Sequence, residues 1–144
     1  DSQKKEIDAV AKWIKEQISD VMPHEISLFV RSEAQLPRAQ AAIEKSKVPF
    51  CILDDKVETE SGHVSISTMH LAKGLEFRTV CVMACDDDVI PLQERIEMAG
   101  DDADLEEVYN TERHLLYVAC TRARENLLIT CGDSPSEFLD DLHK

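Results

Sequence analysis

Residues 79–84, TVCVMA, form an apolar run with no polar alternation, the pattern of a central parallel strand covered on both faces. That run restricts the fold. A strand buried on both sides needs helices above and below it, and parallel neighbours need crossover connections, so the spacing predicts an α/β chain. Further strands are predicted at residues 25–30, at 48–53 with Pro49 at the strand's beginning, at 64–67 and at 126–130. Helical spacing fills the gaps. Ile7, Val10, Ile14, Ile18 and Val21 make one apolar stripe ending before Pro23; Leu36, Ala39 and Ile43 make a second, running to about residue 47; Leu105, Val108, Leu115, Leu116 and Ala119 make a third. Ser32 and Gln35 have capping-box spacing, but Pro37 suits a first turn and allows a later start. A short terminal helix is predicted around residues 138–142 and a mobile polar loop over 92–104.

With 144 residues, 43% of them hydrophobic, the chain is expected to be one domain, 1–144. The formal net charge of −13 argues against a protein that coats nucleic acid, because phosphate binding is dominated by Lys and Arg. Any nucleic-acid contact must be local. The five cysteines make no CxxC pair and are odd in number, and Cys81, Cys120 and Cys131 sit in apolar runs as small hydrophobes. A reducing, cytoplasmic location is expected, with no membrane span and no signal peptide. The adjacent acids Asp86, Asp87 and Asp88 are read as a solvated turn rather than a Mg²⁺ site, and no metal site is expected. The chain begins with charged residues already entering a helix and without Met, the pattern of a piece cut from something longer.

Two stretches are dense in chemistry. In residues 64–77, VSISTMHLAKGLEF, a β-branched run stops at Thr68, one helical turn follows, and Gly74 closes it. Thr68, His70, Lys73 and Glu76 therefore fall at a strand end, where open parallel sheets bind ligands. The plainer alternative is a capped connection in which Thr68 bonds only backbone amides and Gly74 only supplies a positive φ. The second stretch is residues 112–124, ERHLLYVACTRAR.

Thr68-x-His70-x-x-Lys73-Gly74-Leu75-Glu76-Phe77 resembles motif V of the UvrD/Rep/PcrA family of superfamily 1 DNA helicases, and Tyr117-Val118-Ala119-Cys120-Thr121-Arg122-Ala123 resembles its motif VI. The similarity runs from about residue 26 to about residue 130. It implies the second RecA-like core domain, an open and mostly parallel sheet with helices on both faces. Residues 31–35, RSEAQ, resemble the family's motif IVa, with Glu33 where the family commonly has Asn. An acid there would repel a phosphate, so only Arg31 carries over as a DNA contact; a salt bridge to Glu33 or a neighbouring acid is the competing role. Between the strands at 48–53 and 64–67 the family places a large helical insertion, and here only about ten residues, 54–63, join them.

The resemblance assigns Arg122 as the arginine finger, Glu76 as the acceptor for the ATP ribose, Gly74 as the point where backbone approaches nucleotide, and Thr68 and His70 as contacts to single-stranded DNA. The plainer roles are a salt bridge to Glu125 or a helix C-terminal charge for Arg122, and a solvated turn acid for Glu76. Lys73 either orients Glu76 or meets a phosphate. Arg113, Tyr117 and Thr121 would brace the helix that aims Arg122. Glycines stand only at 62, 74, 100 and 132, so no Gly-x-x-x-x-Gly-Lys-[Ser/Thr] cradle exists. ATP with Mg²⁺ would therefore be bound mainly by a first RecA-like domain of the same polypeptide, and this chain alone is expected to be inactive. Competing readings are the motor half of a helicase-nuclease or of a protein-stripping translocase, and a non-catalytic interaction module on the same fold.

Overall fold

In a computed structural model, which describes residues 2–54, 59, 61–132 and 134–139, five parallel strands form one sheet in the order β2-β3-β1-β4-β5. The strands are β1 (Ile26–Val30), β2 (Phe50–Ile52), β3 (Val64–Thr68), β4 (Phe77–Val82) and β5 (Ala123–Ile129). The helices are α1 (Ser2–Gln17), α2 (Leu36–Ser46), the short α3 (Gln93–Glu97) and α4 (Asp102–Cys120). The predicted α/β architecture is the one found.

Side-chain alternation explains the layering. Ile26, Leu28 and Val30 of β1, with Cys81 of β4, point into a cluster roofed by Val10 and Ile14 of α1 and Ala39, Ala42 and Ile43 of α2. Phe29, Val80 and Val82 point the other way, against Leu116, Ala119 and Cys120 of α4. Both faces are covered. Leu28, Phe29, Ile66 and Leu116 are at most 1% exposed, and each contributes on the order of 1.5–3 kcal/mol by leaving water. Phe29 and Phe77 meet edge to face at 6.1 Å, tying the start of β4 to the sheet's middle.

Several local readings change. Ser32 makes no capping bond; a single tight turn at Glu33–Gln35 comes first and α2 begins at Leu36, with Pro37 in its first turn. Ile18 is 39% exposed and lies beyond the end of α1, whereas Glu6, on the face read as polar, is 4% exposed. Residues 92–104 are not an unstructured loop: they contain α3 and the first turn of α4, whose N-cap Asp101 accepts the Asp104 amide at 2.8 Å. Residues 137–139 form one turn, while 140–142 of the predicted terminal helix lie outside the described residues, as do 55–58 and 60 of the connection after β2.

Asp86 is not part of a solvated turn, although its neighbours Asp87 and Asp88 are exposed. Its carboxylate accepts Nη1 of Arg38 at 2.8 Å and the Gly132 amide at 2.6 Å. Arg38 also donates to Glu6, whose other oxygen accepts the Ala84 amide at 2.9 Å and the Thr130 hydroxyl at 2.8 Å. Ala84 takes a left-handed φ of 57° at the exit of β4, and the bond to Glu6 holds it there. One arginine thus locks α1, α2 and the ends of β4 and β5 together.

Candidate nucleotide and nucleic-acid surfaces

The residues singled out by the sequence lie at opposite ends of the sheet. Val30 pairs with Thr68 at the C-terminal end of β1 and β3, whereas Ile26 pairs with Thr79 at the other end. The chain from Thr68 to Phe77 therefore travels the height of the sheet in one pass. It is pressed under α4: Met69 and Ala72 are at most 1% exposed, in the same cluster as Leu116 and Ala119. Helix α4 runs alongside, with Glu112 at its middle and Arg122 just past its lower end, roughly 15 Å apart at the usual rise of 1.5 Å per residue.

At the lower end the two motif stretches clamp each other. The Phe77 amide donates to the carbonyl of Arg122 at 2.9 Å. Arg122 returns the bond, with Nη1 donating to the Leu75 carbonyl at 3.1 Å, Nε to the Val118 carbonyl at 3.2 Å and Nη2 to the Thr121 hydroxyl at 3.1 Å. All three acceptors are neutral. No carboxylate pairs with Arg122 among the described residues, and Glu125, the competing partner, is taken by Arg78. Arg122 is half-buried, and its guanidinium reaches the carbonyl of Leu75, the residue before Glu76. Glu76 is exposed, with Arg124 3.9 Å from its carboxylate. Gly74 has φ 83° and nothing within 4 Å of an added Cβ, so it supplies the turn and leaves open space beside the backbone. Lys73 is exposed. Thr121 braces Arg122 directly and donates in turn to the Val118 carbonyl at 2.8 Å. Arg113 lies over the Phe138 ring at 4.8 Å, and Tyr117 is exposed.

At the upper end a cleft of about 1070 Å³ opens between the strand ends, lined by Arg31, Asp54, Thr68, His70 and Arg95 among others. The Thr68 hydroxyl caps nothing, although Thr68 precedes the turn Met69–Leu71. His70 is exposed and its Nε2 lies 3.2 Å from Nη1 of Arg31. Arginine can only donate, so Nε2 accepts and the ring proton sits on Nδ1.

Arg31 faces inward, 2% exposed, and grips Glu112 with two bonds, Nε to Oε1 at 2.7 Å and Nη2 to Oε2 at 2.6 Å. Its partner is an acid, but one 81 residues away rather than Glu33. Glu112, fully buried, also accepts the Leu92 amide at 2.8 Å and Nη1 of Arg95 at 2.8 Å. Burial pushes its carboxyl up, but the bonds from Arg31, Leu92 and Arg95 together hold it below the usual carboxylate range. Sequence reasoning left Glu112 unassigned and gave Arg95 to a loop. The available signal was a Glu on the inner stripe of α4, four residues before the buried Leu116. Among the described residues no group of three or more His, Cys, Asp or Glu is placed to hold a metal, and no helix is long and apolar enough to cross a membrane.

Comparison with known proteins agrees with this geometry. The profile of the UvrD-like helicase C-terminal domain matches residues 53–134. YjcD of Bacillus subtilis (strain 168) is 46% identical over 79 residues, 54% of this chain and 10% of that protein. The ATP-dependent DNA helicase PcrA of Staphylococcus aureus (strain Mu50) is 38% identical over 99 residues, 61% and 13% respectively. DNA helicase II of Rickettsia typhi is 34% identical over 120 residues, 82% of this chain and 17% of that protein. The matched stretches are thus a small part of each relative. In fold, the crystal structure of the C-terminal domain of a possible DNA helicase from Lactobacillus plantarum WCFS1 superposes with a TM-score of 0.66 at 22% identity, covering 93% of this chain and 71% of that one.

Proposed function

This chain belongs to the UvrD-like helicase C-terminal domain family, and on that premise we propose that it is the second core domain of an ATP-dependent DNA helicase or translocase, a single unit over residues 1–144 without the family's large helical insertion. Its partners are single-stranded DNA and a first RecA-like domain of the same polypeptide, which holds most of the ATP and Mg²⁺. One observation carries the reading: a half-buried arginine at the end of α4 has its charge met, among the described residues, only by neutral acceptors, one of them the carbonyl of Leu75 beside Glu76. Charge-assisted bonds are roughly twice as strong as neutral ones, so a phosphate at this point outcompetes the carbonyls of Leu75 and Val118.

The residues present fit a nucleotide approached from that side. ATP supplies the scissile phosphoanhydride and the charge that develops on its γ-phosphoryl group. Arg122 neutralises that charge through its forked donors, a contribution on the order of 10³ to 10⁵ in rate for an arginine finger. Glu76 accepts from the ribose, and the open backbone at Gly74 allows the approach. Thr68 and His70 face the strand at the other end of the same connection. A pull on Arg122 acts on Leu75 and Phe77, and the buried Met69 and Ala72 carry it towards the cleft. The test compares ATP turnover, with and without single-stranded DNA, by the intact motor and by this chain alone. DNA-stimulated turnover by the first and none by the second is the expected result; turnover by the isolated chain would refute the composite site.

A further inference from the structure

The upper cleft contains a cation that nothing above uses. Arg95 sits on α3 with its side chain 36% exposed, lining the cleft together with Thr68 and His70. One of its nitrogens, Nη1, is spent on Glu112; Nε and Nη2 make no hydrogen bond to another described residue. Its position is fixed twice over, since Glu112 also holds the Leu92 amide at the start of α3. The contrast with Arg31 is direct: same carboxylate, but Arg31 is 2% exposed and all three of its donor nitrogens are engaged.

The charge arithmetic favours an anion at this point. Glu112 carries one negative charge against two guanidinium groups, so the cluster has one positive charge in surplus, and the exposed end of that cluster is Arg95. The exposed acids Glu33 and Asp54 also line the cleft. They repel phosphate, so the surplus positive charge is local to Arg95, which lines the cleft with Thr68. A preorganised arginine loses little freedom when it closes on a phosphate, because the Glu112 bond has already ordered it.

We propose that Arg95, anchored by buried Glu112, contacts a backbone phosphate of the single-stranded nucleic acid in this cleft, in the role that the family resemblance implied for Arg31. The inference rests on the motor reading above, and one experiment separates their fates. In the intact motor, binding of a fluorescent oligothymidylate is followed by anisotropy across a salt series, for the parent, Arg95→Ala, Arg95→Gln and Arg95→Lys. Loss of one phosphate contact reduces the slope of log K against log salt by about 0.7 for a single strand. Arg95→Ala and Arg95→Gln should each show that reduction and bind about tenfold more weakly at low salt, and Arg95→Lys should recover the slope. An arginine that merely steadied α3 would leave the slope unchanged. Parental slopes in folded Arg95→Ala or Arg95→Gln overturn this inference and spare the motor reading. Absence of oligonucleotide binding by the parent protein overturns both.

Discussion

The Phe77 amide and the Arg122 carbonyl are joined at 2.9 Å, and the Arg122 side chain reaches back to the carbonyl of Leu75, two residues earlier. The end of α4 and the start of β4 are therefore a single mechanical unit. Arg122 cannot move without moving the connection that leads to Thr68. This reciprocal clamp gives the family's two motif stretches a physical link, and a second set of groups holds α4 at its middle.

Glu112 is the foremost of those groups. Removing one partner of a buried charge pair costs roughly 3–5 kcal/mol, because the remaining charge stays uncompensated. Glu112→Gln should lower stability by about that amount at pH 7 and is read by denaturant unfolding. The sign with pH follows from its lowered carboxyl. A depressed folded pKa stabilises the fold above the unfolded value, about 4.3, and that contribution is lost as pH falls through the lower folded value. The parent should lose stability below about pH 4.3 more steeply than Glu112→Gln; parallel acid limbs would show that Glu112 is not the charged hub.

The second network makes a distinct prediction. Arg38 bridges Glu6 and Asp86, and its removal leaves two buried acids facing each other across the ends of β4 and β5. Arg38→Met keeps the aliphatic stem but should destabilise the fold by about 3–5 kcal/mol. Wild-type-like unfolding of this variant would mean that the triad contributes nothing net.

Thiol reactivity tests the burial pattern without a substitution. Burial pushes the thiols of Cys81 and Cys85 far up and that of Cys120 up to about 11, so these three should resist alkylation at pH 8 until the protein unfolds. Cys51 and Cys131 are half-buried, and burial raises the Cys131 thiol as well. Native-state alkylation read by mass spectrometry should label Cys51 first; early labelling of Cys81 would contradict the packing of β4 between two helical layers.

Gly74→Ala isolates backbone strain, since an added Cβ meets nothing within 4 Å and φ is 83°. The expected cost is on the order of 1–2 kcal/mol, seen as a lower Tm. An unchanged Tm would mean that the turn relaxes freely.

Much of this fold was readable because its central strands are short runs rich in apolar and β-branched residues and its helices carry stripes: the runs around Leu28, Ile66 and Val80 could hardly be anything but buried strands. The resemblance of two stretches to family motifs singled out Arg122 and Glu76, and the fold bonds Arg122 to the Leu75 carbonyl beside Glu76. What escaped reading was long-range charge pairing. Nothing near Arg31 in sequence points to Glu112, and Glu6 and Asp86 looked like surface acids because their shared partner, Arg38, lies 32 and 48 residues away. The segment around α3 was misread because its order comes from one tertiary contact, Leu92 and Arg95 on Glu112, rather than from its own apolar pattern.

The most direct measurement is steady-state ATP hydrolysis by the intact motor carrying Arg122→Ala, with nucleotide affinity measured in parallel. Turnover stimulated by single-stranded DNA should fall by about 10³-fold or more while nucleotide binding stays within a few-fold of the parent. Turnover close to the parent's would contradict the central claim that this guanidinium acts on the γ-phosphate.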